Sequence, residues 1–243
     1  MLDLHAATSP EVKEALEKGT VAVLAVGALE QHGAHLPLST DTIMSQGVAR
    51  RIAAEIDGLL LPPIAYGDAW NNEGFAGTLS LSSDTMRAIF LDIGRGLKRM
   101  GVKALVIVNG HFGNRVAITQ AAQALKVEAG FPVMYLDYPG MEGIASKICD
   151  SEPAAPTFYH ADEVETSMVL ALEPELVRMD KAAAEYPVFP ETFGLEPVGL
   201  DSFNKSGVFG DPRPSTAAKG ETLIAGITEE SVRLIRLFLA KLG

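Results

Sequence analysis

The sequence predicts an α/β domain built on a mostly parallel sheet with helices over both faces. Three observations carry this expectation. Apolar, β-branched runs of strand length recur along the chain. Each is followed by a segment with helical spacing and helix-end signals. The polar clusters fall just after the strands, along the rim where a parallel sheet gathers its C-terminal ends. Strands alternating with helices imply βαβ units with right-handed crossovers. The length of 243 residues fits one domain over 1–243, and 47% apolar against 21% charged residues is globular composition able to fill its core.

Taken in order, "TSPEVKEALEKG" predicts a first helix, with Thr8 or Ser9 as cap, Pro10 in the first turn and Gly19 as the stop. "TVAVLAVGA" (20–28) predicts a buried strand, and "DTIMSQGVARRIAAEIDG" a helix through the spacing of Ile43, Val48, Ile52 and Ile56. "LLLPPIAYG" predicts a second, short strand. "SSDTMRAIFLDIGRGLKRMG" predicts a helix that opens near Asp84 and ends at Gly101. "VKALVIVNG" (102–110) is the clearest strand, apolar up to its end. "NRVAITQAAQALKVEAG" follows as a helix, "FPVMYLDY" as a strand and "HADEVETSMVLALEPELV" as a helix. A Pro/Gly-rich stretch from about Lys181 to Lys219 precedes the amphipathic closing helix "GETLIAGITEESVRLIRLFLAKLG".

Composition narrows the partners. A formal charge of −11 argues against nucleic acid and anionic membrane, whose phosphates would be repelled. No apolar run approaches membrane-spanning length and the N-terminus lacks a secretory profile. Cys149 stands alone, so no intrachain disulfide or thiolate cluster can form, and a reduced, cytoplasmic setting is the expectation.

Four of the five histidines fall in segments that follow strands. In "GALEQHGAHLPLSTD", Glu30 and His32 are two apart and share a face of an extended strand end, and Asp41 lies beyond a loop that can fold back. Read blandly, His32 and His35 are loop residues with ordinary partners. "VNGHFGN" sets His111 at a strand-to-helix junction between glycines that permit a sharp turn. The rival reading of that loop, a phosphate cradle, lacks both the GxGxxG pattern and the P-loop lysine. "YHADEVETS" supplies His160, Asp162, Glu163 and Glu165. Asp162 and Glu163 suit the positive end of a helix dipole, which leaves the functional role to Glu165. The loop "YGDAWNNEGFAGTLSLSSD" carries Trp70, Asn71 and Asn72 and is either a substrate wall or a surface turn. No nucleophile elbow and no Cys/His pair stand out. At least two histidines and three carboxylates suit two divalent ions sharing a bridging carboxylate and water better than one tetrahedral ion, and zinc, manganese and iron all accept these donors.

Taken together and in order, "GALEQHGAHLPLSTD", "YG…FAGTLSL", "VNGHFGN", "HADEVETS" and "GVFGDPRPSTAAKGE" resemble the creatininase family of metal-dependent amidohydrolases over about residues 20–225. The resemblance implies a three-layer α/β/α fold, two divalent ions per subunit, a small-molecule substrate and a homo-oligomer such as a hexamer. It implies that Glu30 and His111 bind one ion, that His32 and Glu165 bind the other, and that Asp41 bridges them. His160 corresponds to the family's proton-transferring histidine. Trp70, Asn71, Asn72, Phe112 and Tyr159 are the candidate substrate contacts. The chain departs from creatininase itself at two places and from many relatives at a third. Gly113 stands where creatininase has a carboxylate ligand, and Pro156 to Tyr159 lack its tryptophan. Ala69 to Asn72 stand where many relatives have a Ser-x-Glu-His run in the lid loop. The implied chemistry is hydrolysis of an amide-like C–N bond, in a cyclic amide or a formamide. A short peptide bond, a keto-sugar C–C bond, a metal-assisted isomerisation and simple ligand binding are the rivals.

Overall fold

A computed structural model describes residues 1–242. Its elements run β1 (Leu2–Asp3), α1 (Ser9–Glu17), β2 (Ala22–Val26), α2 (Thr40–Glu55), β3 (Leu59–Leu60), α3 (Ser83–Met100), β4 (Leu105–Asn109), α4 (Arg115–Ala129), β5 (Val133–Leu136), α5 (Met141–Ile148), α6 (Glu163–Leu172) and α7 (Ala217–Ala240). The strands form one sheet in the order β1-β3-β2-β4-β5, and every pairing is parallel.

Strand alternation divides the core into two layers. Val23, Ala25, Val106 and Val108 pack against α2, α5, α6 and α7. Ala22, Leu24, Val26, Leu105 and Ile107 face the opposite way, against α1, α3 and α4. All residues of β2 and β4 are buried, which explains why both runs read as continuously apolar. The architecture is the expected three-layer α/β/α arrangement.

Local chemistry sets the element ends. Glu11 accepts from the Thr8 backbone N–H at 2.6 Å and starts α1. Ser82 accepts from Thr85 N at 3.2 Å to start α3, and Gly101, with φ 86°, ends it. The strand expected over 59–67 closes after Leu60, because Pro62 and Pro63 have no N–H to offer the ladder. Two elements were not anticipated: the two-residue edge strand β1 and the short helix α5. Among the described residues no helix is long and apolar enough to cross a membrane.

The register positions the functional rim. Val26 of β2 pairs with Asn109 of β4, so the loops leaving these central strands start side by side. The chain then runs from β2 toward β3 and from β4 toward β5, in opposite directions across the sheet. Divergence of this kind opens a crevice at the strand C-termini.

The 181–219 stretch contributes helical turns at Met179–Lys181 and Leu200–Ser202 but is otherwise irregular. Phe189, Phe193 and Phe203 from this stretch pack with Phe209 and with Phe158, at ring separations between 5.0 and 6.1 Å. Much of its apolar surface therefore goes to an internal cluster, while Val188 and Leu195 stay exposed.

Candidate metal centre

Side chains from four separate segments converge over the ends of β2 and β4. Glu30 and His32 stand on the loop after β2, Asp41 in the first turn of α2, His111 just after β4, and Glu165 in the first turn of α6. All five are buried, as is His160. Asp41 is the pivot: Oδ1 lies 3.2 Å from His32 Nε2, and Oδ2 lies 3.3 Å from His111 Nδ1. His111 Nδ1 is also 3.0 Å from Glu30 Oε1, and His32 Nε2 is 3.6 Å from Glu165 Oε2. Two groups of donors result, Glu30–Asp41–His111 and His32–Asp41–Glu165, each with ligand atoms within 4.8 Å of one another. Glu30, His32 and His160 form a third such group.

Backbone carbonyls decide which imidazole nitrogen faces the centre. His32 Nδ1 donates to the Glu30 carbonyl at 3.2 Å, leaving Nε2 to face Asp41. His111 Nε2 donates to the Asp68 carbonyl at 2.8 Å, leaving Nδ1 inward. Asp68 is held in turn by its own N–H, which donates to Asn114, and by its carboxylate, which accepts from Ser83. Gly113 permits this close approach, since a side-chain carbon there would stand 2.5 Å from His111 Nε2 and closer still to the Asp68 carbonyl.

His160 is oriented differently. Gln31 Oε1 accepts from Gly33 N at 3.0 Å, so its amide NH₂ is the group 2.9 Å from His160 Nε2. His160 Nε2 is therefore the acceptor and Nδ1 carries the proton, 3.9 Å from Glu30 Oε1. His160 lies in the loop ahead of α6, where its carbonyl accepts from Phe209 N. Ala161 turns there with φ 52°, and its N–H donates to Glu165 Oε2 at 2.6 Å, so His160 and Glu165 face the same centre.

The acids beside it take two roles. Asp162 caps α6, accepting from Val164 N and Glu165 N at 3.0 and 3.2 Å. Glu163 was expected to serve the helix dipole. Its carboxylate instead turns away to pair with Lys219 and to accept from the 150–151 backbone, which ties α6 to the start of α7.

The charges are strongly coupled. Burial disfavours a charged His32, yet Asp41, Glu165 and Glu30 outweigh it and raise the pKa to about 10. Burial opposes charge on His111 too, and Glu30 and Asp41 hold it well above its ordinary value. Burial would raise Asp41, but His32 and His111 keep it well below the usual carboxylate range. Burial lifts Glu165 to about 8 against the pull of His32. Burial and the neighbouring His32 hold His160 well below its ordinary value, so His160 is neutral where His32 is charged.

A cavity of about 80 Å³ opens onto this cluster. Of the candidate substrate contacts, Asn71, Asn72, Phe112 and Tyr159 line it. Trp70 does not: the helical turn Trp70–Asn72 sends Asn72 inward and leaves Trp70 half-exposed. Asn72 is already engaged, donating to Glu30 Oε2 at 2.7 Å and accepting from Gln31. Phe112 lies under the Arg115 guanidinium at 3.9 Å. The sequence reading missed Gln31, Asp68, Tyr138 and Phe158. Gln31 alone carried a signal, its place between two of the candidate ligands.

A family model described as creatininase, creatinine amidohydrolase, matches residues 5–235. The chain is 33% identical over 224 residues to a mycofactocin precursor peptide peptidase of Mycobacterium ulcerans (strain Agy99), covering 88% of this chain and 83% of that one. It is 28% identical over 218 residues to the creatinine amidohydrolase of Pseudomonas putida, covering 84% of each. Among solved structures, a mutant creatininase of Zn-Zn type superposes with a TM-score of 0.86 at 28% identity, covering 96% of each chain.

Proposed function

This chain belongs to the creatininase family of metal-dependent hydrolases, and from that premise we propose that it hydrolyses an amide-like C–N bond of a small polar substrate at two divalent cations. Glu30, Asp41 and His111 would hold one cation, and His32, Asp41 and Glu165 the other. The observation that carries the reading is Asp41, whose two carboxylate oxygens face two different histidines, as a bridging ligand requires. The donors also fit: His32 Nε2 and Asp41 Oδ2 are buried atoms with no hydrogen-bond partner in the chain, and carboxylate with imidazole suits zinc, manganese or iron. Bound there, the cations would supply Lewis acidity, activating a water near neutral pH and stabilising charge on the substrate carbonyl oxygen.

The rest of the chemistry belongs to the chain. His160, neutral and anchored through Nε2 by Gln31, turns Nδ1 toward the cavity; the proton it passes to the leaving nitrogen is balanced by the one it takes from the attacking water, so the imidazole ends neutral as it began. Met44, Met168, Phe112, Phe158 and Tyr159 form apolar walls that exclude bulk water from the reacting bond. A short peptide amide is the second reading. It is favoured by the higher identity to the peptidase, 33% against 28% for the creatinine amidohydrolase.

Elemental analysis of purified protein, followed by assays on cyclic amides, formamides, lactams and short peptides, tests this. Asp41→Asn is expected to lose both metal and turnover, and full activity in metal-depleted Asp41→Asn protein would end the proposal. His160→Ala is expected to keep its metal and lose about 10²-fold or more in turnover. If that variant arrives without metal, His160 is a ligand instead.

A further inference from the structure

Tyr138 carries a buried hydroxyl that the fold does not use. The residue follows β5 with φ 49°, is only 6% exposed, and its OH has no hydrogen-bond partner in the chain. It lines the same cavity as Glu30, Asp41, His111, His160 and Glu165. A side-chain carbon at Gly110 would stand 3.0 Å from this hydroxyl, which fixes it beside the turn between β4 and His111. The ring meanwhile packs within the core together with Leu136 and Met141.

An unpaired buried donor loses its hydrogen bonds to water without replacing them, and a phenylalanine would fill the same space without that cost. Among the described residues, Asp41 Oδ2 is the other unpartnered side-chain atom on this cavity's lining, and it, like His32 Nε2 beside Asp41, is accounted for by the metal reading. Thr42, Ser231 and His35 have unpartnered atoms that lie off the cavity's lining. Burial and the charges of Asp41, Glu165 and Asp137 keep the phenol well above its usual pKa, so it remains a donor.

Resting on the amide-hydrolysis reading, we propose that the Tyr138 hydroxyl donates a hydrogen bond to the substrate oxygen that becomes negative as water adds to the carbonyl. Tyr138 is then a catalytic residue, and no proton leaves it. Bound cations would share the stabilisation of that oxygen, so the loss on removing the donor falls at or below the low end for such groups, about 10- to 100-fold.

Tyr138→Phe deletes only the hydroxyl. Expected is a 10- to 100-fold fall shared equally by kcat and kcat/KM, with KM and metal content unchanged and the unfolding midpoint equal or higher. Unchanged kcat, a rise confined to KM, or loss of metal each overturns the assignment. A second measurement needs no turnover: titrating methylphosphonate, a tetrahedral oxyanion, into metal-loaded protein by calorimetry. Binding at least about 10-fold weaker in Tyr138→Phe supports the donor, and equal affinity overturns it. If the parent protein cleaves no amide while methylphosphonate binding still depends on this hydroxyl, the hydrolysis reading fails and the donor assignment stands.

Discussion

Replacing Gly113 with alanine asks whether the centre depends on the backbone beneath it. The added carbon would stand 2.5 Å from His111 Nε2 and closer to the Asp68 carbonyl oxygen, wedged between the donor and acceptor of the 2.8 Å bond that aims His111. Ordinary contacts between such atoms begin near ~3.5 Å, so His111 must retreat by about 1 Å and the Asp68 carbonyl by more. Neither move is free. Asp68 is held by Asn114 and Ser83, and His111 is buried against Glu30 and Asp41. Overpacking costs about 1–3 kcal/mol, and loss of the partner that orients a ligating histidine costs about 10- to 100-fold in metal affinity. Chelator competition followed by elemental analysis reads the second quantity, and denaturant unfolding of the metal-free protein reads the first. Excess metal is expected to restore part of the activity. Gly113→Ala with the parent's metal affinity and activity would refute the reasoning. Gly113→Glu, which places a carboxylate where creatininase itself has one, is expected to fail as a gained ligand for the same steric reason.

Other perturbations separate orientation, stability and pH. Asn72→Ala removes the 2.7 Å bond to Glu30 and is expected to weaken metal binding by about 10-fold or more with KM unmoved; a raised KM at full metal content would assign Asn72 to the substrate. Lys219→Met leaves the buried Glu163 carboxylate without its cation and is expected to cost about 3 kcal/mol in denaturant unfolding, part of which Glu163→Gln recovers in the double variant. Burial, with His32 nearby, depresses the pKa of His35 to about 4, while Nε2 stays 2.9 Å from Thr166 Oγ1. The unfolded chain titrates near ~6.5, so this contribution to stability is complete above that pH and drains away as pH falls toward 4. It amounts to at most about 3 kcal/mol, and less where water reaches the ring. A slope of stability against pH between 4 and 6.5 that is identical in His35→Asn would contradict it.

The legible parts of the fold share one physical cause. β2 and β4 are buried on both faces and must be apolar throughout, and α3 ends where Gly101 alone accepts a left-handed turn comfortably. β1 is two residues held to β3 by bonds such as Leu2 N to the Gly58 carbonyl, too short to show a period. The eight residues of α5 follow Gly140, whose φ of 84° reads in sequence as a turn rather than a helix start. In 181–219 the proline and glycine content was visible. The partners of its phenylalanines were not, because Phe158 and Phe209 lie outside or far along the chain from Phe189 and contact it only in three dimensions.

The same division runs through the site. Candidate ligands can be read because the chemistry demands particular residue types: carboxylates and imidazoles bind hard and borderline cations, and Glu30, His32 and His111 follow the two central strands, while Asp41 and Glu165 come from the first turns of α2 and α6. What aims them cannot be read in that way. His32 and His111 are oriented by the carbonyls of Glu30 and Asp68, groups that every residue possesses and that leave no mark on composition. Asn72, a candidate substrate contact, does line the cavity, yet the helical turn that brings it there also points it at Glu30 and leaves Trp70 half-exposed. Gln31 meets His160 across 129 positions. A centre of this kind is therefore specified twice, by donor identities that are local in sequence and by backbone placement that only the assembled sheet supplies. That is why substitutions at Gly113, which has no side chain to offer as a ligand, are expected to tell as much about metal binding as substitutions of the candidate ligands do.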